Sequence, residues 1–331
     1  MYLPVFFRSF GYPLAGKHGC FGLLLFVFLL GACAQNGVQP PAAADGGQLL
    51  SEWRRIESGL QETGSATAAP GGYVQLGRPV STAVWADYVY IADAGHQAVL
   101  RYDLRRETLS VFYRMRITPE TRLLAVAGEY LYIADPLRGR ILYLDRNARL
   151  LREITDFNLK KPVAIAEDAR RGRILVADAF YNQILAFNKL GRLIRVLHPV
   201  DDTGAAPGGL VDMSVRDGQI YLLDRNLAQV VITDLDGNYR QVLGKDRLRQ
   251  PVAMVVDEGG RVLVADAFDN SLRVFEPNEQ QPVALQRQSL ATMQLADMAL
   301  HENWLYLVDA AAAQILVMKL HYPVTSTGGG Q

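Results

Sequence analysis

The apolar positions of residues 79–320 form short runs that lack the length and the 3.6-residue period of helices. The most regular run is rich in branched residues, ends in aspartate, and occurs six times. The spacing between successive aspartates is 42 to 46 residues. The six runs are Val89–Asp93, Leu131–Asp135, Leu175–Asp178, Ile220–Asp224, Leu263–Asp266 and Leu305–Asp309. Short apolar runs at such regular spacing predict strands in a repeat architecture.

Each repeat contains further strand signals on both sides of this run. A branched apolar residue opens a second strand after each aspartate, at Val99, Ile141, Ile184, Val230, Leu272 and Ile315. Another apolar run precedes each aspartate, beginning at Pro79, Pro162, Leu210, Pro251 and Leu295, whereas the second repeat has Thr121-Arg122 in that place. Turns such as Leu190-Gly191 lead to a weaker fourth strand.

Four short strands per repeat are typical of a propeller blade, because radial repetition leaves only short, protected sheet edges. We therefore predict an all-β fold, a six-bladed β-propeller over residues 71–324, followed by a disordered tail at 325–331. The sixth repeat lacks an obvious fourth strand. We expect residues 73–76, which precede the first blade, to supply it and close the ring.

Two repeats carry a recognisable motif, Val176-Ala-Asp-Ala-Phe-Tyr-Asn-Gln-Ile-Leu-Ala-Phe187 and the matching residues 264–275. This motif resembles the NHL repeat, and the resemblance covers residues 73–320. It departs at the consensus arginine, which is present only as Arg140, and its Asn stands one place late. The resemblance implies the propeller fold and transfers no function.

The N-terminus has the pattern of a bacterial export signal. Basic residues are followed by a ten-residue apolar run, 21–30, which is too short to span a bilayer. The run ends in Leu30-Gly-Ala-Cys33, which resembles a lipobox. This implies a signal peptide at 1–32 and a lipidated (palmitate-bearing) Cys33, with an ordinary cleaved signal as the alternative. Because Ala34 follows the cysteine, the resemblance implies an outer-membrane lipoprotein facing the periplasm or the cell surface.

Residues 33–70 are expected to connect this anchor to the propeller. The segment after Cys33 is polar and rich in Pro and Gly, which is typical of a tether. Leu49, Trp53, Ile56 and Leu60 then recur at helical spacing, which predicts a short amphipathic helix at 48–62. Such a short helix must dock on its own propeller, on a partner or on the membrane.

Charge and cysteine content restrict the possible partners. Lys+Arg and Asp+Glu are both 34, and without residues 1–32 the chain has 32 basic and 34 acidic residues. This balance provides no basic stripe for nucleic acid. The only cysteines, Cys20 and Cys33, lie in or at the end of the leader, so the propeller has no disulfides and no thiolate metal site.

The six repeated aspartates favour a structural role over a catalytic one. A catalytic group is needed once, whereas Asp93, Asp135, Asp178, Asp224, Asp266 and Asp309 recur in every repeat. Aspartate accepts hydrogen bonds from backbone N–H groups a few residues on. We expect these residues to fix the turns after the second strand of each blade.

An active centre has weak support from the sequence. The histidines that follow the leader are spread over different loops, which argues against a zinc site. Asp212 and Asp297 occupy the place that Ser81, Ala164 and Ala253 hold in other repeats, so they could face a shared axial cation or bond neighbouring backbone. A calcium-dependent hydrolase or lyase at the channel mouth is therefore an alternative. No other cofactor is expected.

The loops that follow the repeated aspartates vary most between repeats and indicate a binding face. His96, Arg138, Phe180, Tyr181, Arg225 and Phe268 lie in these loops. Aromatic residues and arginine are enriched in binding hot spots. The alternative is that the aromatic rings fold inward and cap the blades. Our leading interpretation is a non-enzymatic envelope scaffold that binds a protein or peptide. The alternatives are the calcium enzyme and a sensor of a small ligand in the channel.

Overall fold

The structure is a computed structural model that describes residues 50–61, 72–126, 130–277, 283–285 and 288–321. The described residues form six sheets, each with four antiparallel blade strands, which are the six blades of a propeller. We letter the strands of each blade A to D from the central channel outward. The all-β, six-bladed fold predicted from the repeats is confirmed. The signal peptide at 1–32, Cys33 and the tail at 325–331 lie outside the described residues.

The first three blades contain strands β3–β14. In order A to D they are: blade 1, β3 Pro79–Trp85, β4 Tyr88–Asp93, β5 Ala98–Asp103, β6 Thr108–Arg114; blade 2, β7 Arg122–Val126, β8 Tyr130–Asp135, β9 Arg140–Leu144, β10 Leu150–Ile154; blade 3, β11 Pro162–Asp168, β12 Arg173–Asp178, β13 Gln183–Asn188, β14 Leu193–Leu197. Two short strands, β1 Ser58–Gln61 and β2 Tyr73–Gln75, extend blade 1 outward.

The last three blades follow the same order. They are: blade 4, β15 Leu210–Arg216, β16 Gln219–Asp224, β17 Gln229–Asp234, β18 Tyr239–Leu243; blade 5, β19 Pro251–Val256, β20 Val262–Asp266, β21 Ser271–Phe275, β22 Val283–Leu285; blade 6, β23 Leu295–His301, β24 Trp304–Asp309, β25 Gln314–Leu320, with Leu50–Ile56 as its strand D. A four-residue helix, Gln288–Ala291, precedes blade 6. No helix in the described part of the chain is long and apolar enough to cross a bilayer.

The hydrophobic core is divided among the six junctions between blades. Each of six buried clusters combines residues of two adjacent blades. In the junction of blades 6 and 1, for example, Val308 and Val317 pack with Val89 and Leu100. Each apolar sheet face is therefore covered by its neighbour, and the six junctions form a ring.

The ring is closed by a segment for which the sequence predicted a helix. Within the described residues the helix at 48–62 is wrong: Leu50–Ile56 pairs antiparallel with Gln314–Leu320, from Leu50 opposite Leu320 to Ile56 opposite Ile315. The predicted closing strand at 73–76 is also wrong, because Tyr73–Gln75 pairs with Ser58–Gln61 outside blade 1. The propeller therefore includes residues 50–61, which the sequence assigned to the tether.

The helical spacing was misleading because the strand contains a bulge. The pairing register shifts between Glu52 and Arg54, so Trp53 is an extra residue on this strand. Leu50 and Ile56 are completely buried, whereas Trp53 is only half-buried and packs on Trp304 with ring centroids 4.6 Å apart. The segment forms a strand because blade 6 offers an unpaired edge, whereas a short isolated helix is marginal in water.

Candidate functional site

Five of the six repeated aspartates connect two loops on one face of the ring, which we call the B–C face, whereas Asp135 pairs with the side chains of Arg138 and Arg140. Each aspartate stands at the end of a strand B and is almost completely buried. The Asp178 carboxylate accepts hydrogen bonds from Phe180 and Tyr181 N–H in the B–C turn, and from Lys160 and Lys161 N–H in the preceding D–A loop. Asp93 bonds Gly77, Arg78 and His96 N–H in the same way, and these bonds lower the pKa of Asp93. The contact with the D–A loop was missed at the sequence level.

The B–C turns also share one backbone feature. The fourth residue after each aspartate has a positive φ between 49° and 59°. These residues are Gln97, Gly139, Asn182, Ala228, Asn270 and Ala313. Gly and Asn tolerate this left-handed conformation best, which explains why an Asn stands at this place in two repeats. The turns therefore present their second and third residues outward in a regular series.

The B–C face carries six large exposed apolar side chains on blades 2 to 5. They are Leu137, Phe157, Phe180, Tyr181, Leu227 and Phe268. Phe157 is 80% exposed and Phe180 64%, so the aromatic side chains do not fold inward. On the opposite face, the large exposed apolar side chain among the described residues is that of Leu190, in a C–D turn. The remaining large exposed apolar side chains of the described chain lie on outer strands. We call the six residues the apolar crescent.

Cationic side chains accompany the apolar crescent. The Arg249 guanidinium lies 4.5 Å from the centroid of the Phe268 ring, and Lys160 Nζ lies 4.7 Å from that of Phe157. Phe180 and Tyr181 meet edge to face at 4.8 Å. Of the residues named from the sequence, Arg138 and Arg225 are exposed beside this surface, whereas His96 is half-buried against Asp93 on blade 1. Leu137, Phe157, Lys160, Leu227 and Arg249 were not among the predicted site residues.

The central channel contains a second constellation, at one level of the six inner strands. Strand pairing places Ser81, Arg122, Ala164, Asp212, Ala253 and Asp297 opposite the residue that precedes each strand B aspartate. Charged residues thus alternate with small ones around the ring. The structure brings Asp212 and Asp297 to one cavity and adds Arg122, which the sequence pattern showed only as a departure from the repeat.

The two channel carboxylates bond the backbone of the next blade. Asp212 Oδ2 accepts the Met254 N–H at 2.6 Å, and Asp297 Oδ2 accepts the Thr82 N–H at 3.0 Å. Arg122 Nε lies 3.9 Å from Asp297 Oδ1. Burial, reinforced by the charge of Asp297, raises the pKa of Asp212 to about 7. Burial also raises the pKa of Asp297, although Arg122 and Ser81 oppose the shift.

The described residues do not fit a calcium or zinc centre. Calcium takes six to eight oxygen ligands, but the channel offers two carboxylates that already bond backbone N–H groups, beside a guanidinium. No cluster of three or more His, Asp or Glu residues in the described chain is arranged to hold a metal. The histidines lie apart: His198 follows a strand D, His301 packs beside Trp85, and His321 Nε2 lies 2.7 Å from Ser51 Oγ.

Comparison with known proteins supports the fold. No family model matches the chain, and no curated protein matches it either. A virginiamycin B lyase from Staphylococcus aureus is 12% identical with a TM-score of 0.56, covering 75% of this chain and 96% of its own. A protein of unknown function from Bacteroides thetaiotaomicron is 15% identical with a TM-score of 0.63, covering 84% and 77%. A chain of a nidogen/laminin complex is 18% identical with a TM-score of 0.54, covering 69% and 92%. At these identities the similarity shows the fold alone.

Proposed function

We propose that this protein is a membrane-anchored, non-enzymatic binding module of the bacterial envelope that recognises a protein or peptide through the B–C face. The observation that carries the proposal is the apolar crescent, which collects six large exposed apolar side chains on one face. Loops on a rigid scaffold are the usual place of recognition residues. Exposed aromatic rings beside arginine provide buried area at small entropic cost.

The charge of the B–C face favours a partner with acidic groups. Exposed cationic residues of its loops are Arg78, Arg116, Arg138, Lys160, Lys161, Arg225, Lys245, Arg247 and Arg249. The exposed acids there are Glu120, Asp202 and Asp246, of which the first two lie within 4 Å of a lysine. Complementary charge increases the rate of association and selects between partners. One structure of similar fold was determined in a protein complex, that of nidogen with laminin.

Membrane anchoring is the second part of the proposal. It rests on the lipobox-like residues 30–33 and the apolar run before them. A lipid on Cys33 would hold the propeller at the membrane through the following segment, and the resemblance favours the outer membrane. One acyl chain binds weakly and two or more bind stably.

Co-purification from membranes tests the recognition face. Proteins bound to the unaltered chain would be compared by quantitative mass spectrometry with those bound to a Phe180→Ser/Phe268→Ser variant. The control is Leu190→Ser/Ile194→Ser, which removes exposed apolar side chains away from the B–C face. We expect at least one partner that the control retains and the crescent variant loses. An identical set of bound proteins for all three chains would contradict the proposal.

A further inference from the structure

The axial channel contains a half-open cavity of about 200 Å³, lined by the inner strands of all six blades. At the share of about 30 Å³ that one molecule takes in liquid water, the cavity corresponds to about seven waters. It therefore has room for a small molecule and is too small for a folded segment. Leu124, Met213, Met254 and Met298 also line it, beside its polar groups.

Arg122 lines this cavity and has one guanidinium N–H group without an acceptor. Its side chain is 10% exposed, and Nη1 donates to the carbonyl oxygens of Pro119 and Thr121, which fixes the guanidinium. Nε is buried without a hydrogen-bond acceptor, because 3.9 Å to Asp297 Oδ1 is too long for a hydrogen bond. Because a buried donor without an acceptor is costly, an acceptor presented to the Arg122 guanidinium from the cavity is favourable.

Asp212 presents an uncompensated acid on another side of the cavity. Both of its oxygens accept backbone N–H groups, from Met213 and Met254, and it forms no ion pair with the described residues. The charged groups that act on it from the other inner strands are Asp297 and Arg122. Arg225, at the channel rim, interacts with Arg122 and Glu120. With both aspartates ionised, the three residues Arg122, Asp212 and Asp297 therefore lack one positive charge.

We infer that the axial cavity binds a small organic cation that also carries a hydrogen-bond acceptor, such as a hydroxylated primary amine. Asp212 pairs with the ammonium group, and the Arg122 guanidinium donates to the ligand's oxygen. Ala164, a small residue on an intervening blade, lines the same cavity. The cavity and the B–C face are separate surfaces, so a test of this site does not depend on whether the proposed function is correct.

Titration calorimetry with ethanolamine and glucosamine tests the inference, with ethylene glycol and glucose as the matched uncharged probes. We expect saturable binding of at least one amine below ~10 mM, a range that small ligands reach. Neither uncharged probe should bind. Since a proton on Asp212 competes with the cation, the affinity for ethanolamine, which stays protonated over this range, should rise about tenfold from about pH 6 to about pH 8.

Two variants test whether the amine binds at Asp212. Asp212→Asn should weaken the amine's affinity by about tenfold or more, because it removes the anionic partner from a buried site. Asp246→Asn makes the same change on the exposed B–C face and should have no effect. If Asp212→Asn fails to fold, the pH dependence of the unaltered chain still decides. Absence of amine binding, equal binding of glucose and glucosamine, affinity that falls with rising pH, or calcium binding that Asp212→Asn abolishes would each overturn the inference.

Discussion

At the residue scale, a buried carboxylate holds two loops together in five of the six blades. Asp93, Asp178, Asp224, Asp266 and Asp309 each lie between a B–C turn and the preceding D–A loop and accept several backbone N–H groups. The Asp135 carboxylate is instead paired with the Arg138 and Arg140 side chains. Sequence reasoning identified these residues because they recur. It also found the pair Asp212 and Asp297 by comparing repeats, but Arg122 could not be placed there, since the second repeat begins with a different pattern.

Asp178→Ala should lower the free energy of unfolding by about 2–4 kcal/mol, because four N–H groups lose a buried charged acceptor. Asp202→Ala, at an exposed loop position, is the control and should change stability by less than about 0.5 kcal/mol. Urea unfolding measures both. Equal stability of the two variants would contradict a structural role for the aspartate.

Asp212 should make stability depend on pH in the direction opposite to an ordinary paired carboxylate. Its folded pKa of about 7 lies above the reference value of 3.8, so the folded state holds the proton more tightly. The stability it contributes is full below about pH 4 and is lost as pH rises through about 7. Asp212→Asn should therefore gain stability relative to the unaltered chain across that range, as measured by unfolding at several pH values. If the stability difference between the two chains did not change with pH, the pKa of Asp212 would not be raised and the prediction would be wrong.

At the element scale, the strand that completes blade 6 was the main error of sequence reasoning. The repeated runs revealed strands B and C, because both faces of these strands are buried and the runs are almost continuously apolar. Leu50–Ile56 has only its two end residues fully buried and contains a bulge, so its pattern carries no strand period. Its conformation is set by pairing with Gln314–Leu320, about 260 residues away in sequence. Such pairing cannot be predicted from the local sequence pattern.

Ile56→Ala should cost about 2–5 kcal/mol of unfolding free energy, because Ile56 is fully buried where blades 6 and 1 meet. Ile194→Ala is the matched control: this isoleucine is 56% exposed on a strand D and should cost less than about 1 kcal/mol. Chemical denaturation of both variants provides the comparison. If the N-terminal segment did not belong to the core, the two variants would lose equal amounts of unfolding free energy.

At the whole-molecule scale, one closed ring positions both candidate sites. Six junction cores hold the inner strands at a common level, which brings Arg122, Asp212 and Asp297 together from alternate blades. The same repetition directs every B–C turn to one face, where blades 2 to 5 carry the apolar crescent and blades 1 and 6 carry small or half-buried residues. The fold followed from the repeat, whereas the positions of the site residues depend on how the ring is closed.

Anchoring is a prediction about the whole chain. Cys33→Ser should move the protein from the membrane to the soluble fraction and abolish incorporation of labelled palmitate, because the thiol is the proposed acyl acceptor. Cys20→Ser is the control and should remain with the membrane. Fractionation and labelling measure both variants, and acylation that persists in Cys33→Ser would contradict the assignment.

Disulfide trapping of the N-terminal strand tests ring closure most directly. Ser51 and Lys319 are Cα partners across the blade 6 ladder, and paired residues lie about 4.5–5.5 Å apart, within reach of a disulfide. In a Cys20→Ser/Cys33→Ser background, Ser51→Cys/Lys319→Cys should cross-link under mild oxidation, as peptide mass spectrometry would show. Arg55→Cys/Lys319→Cys, three rungs out of register and about 10 Å apart, should not. Equal cross-linking of the two pairs, or of neither, would contradict closure of the propeller by Leu50–Ile56.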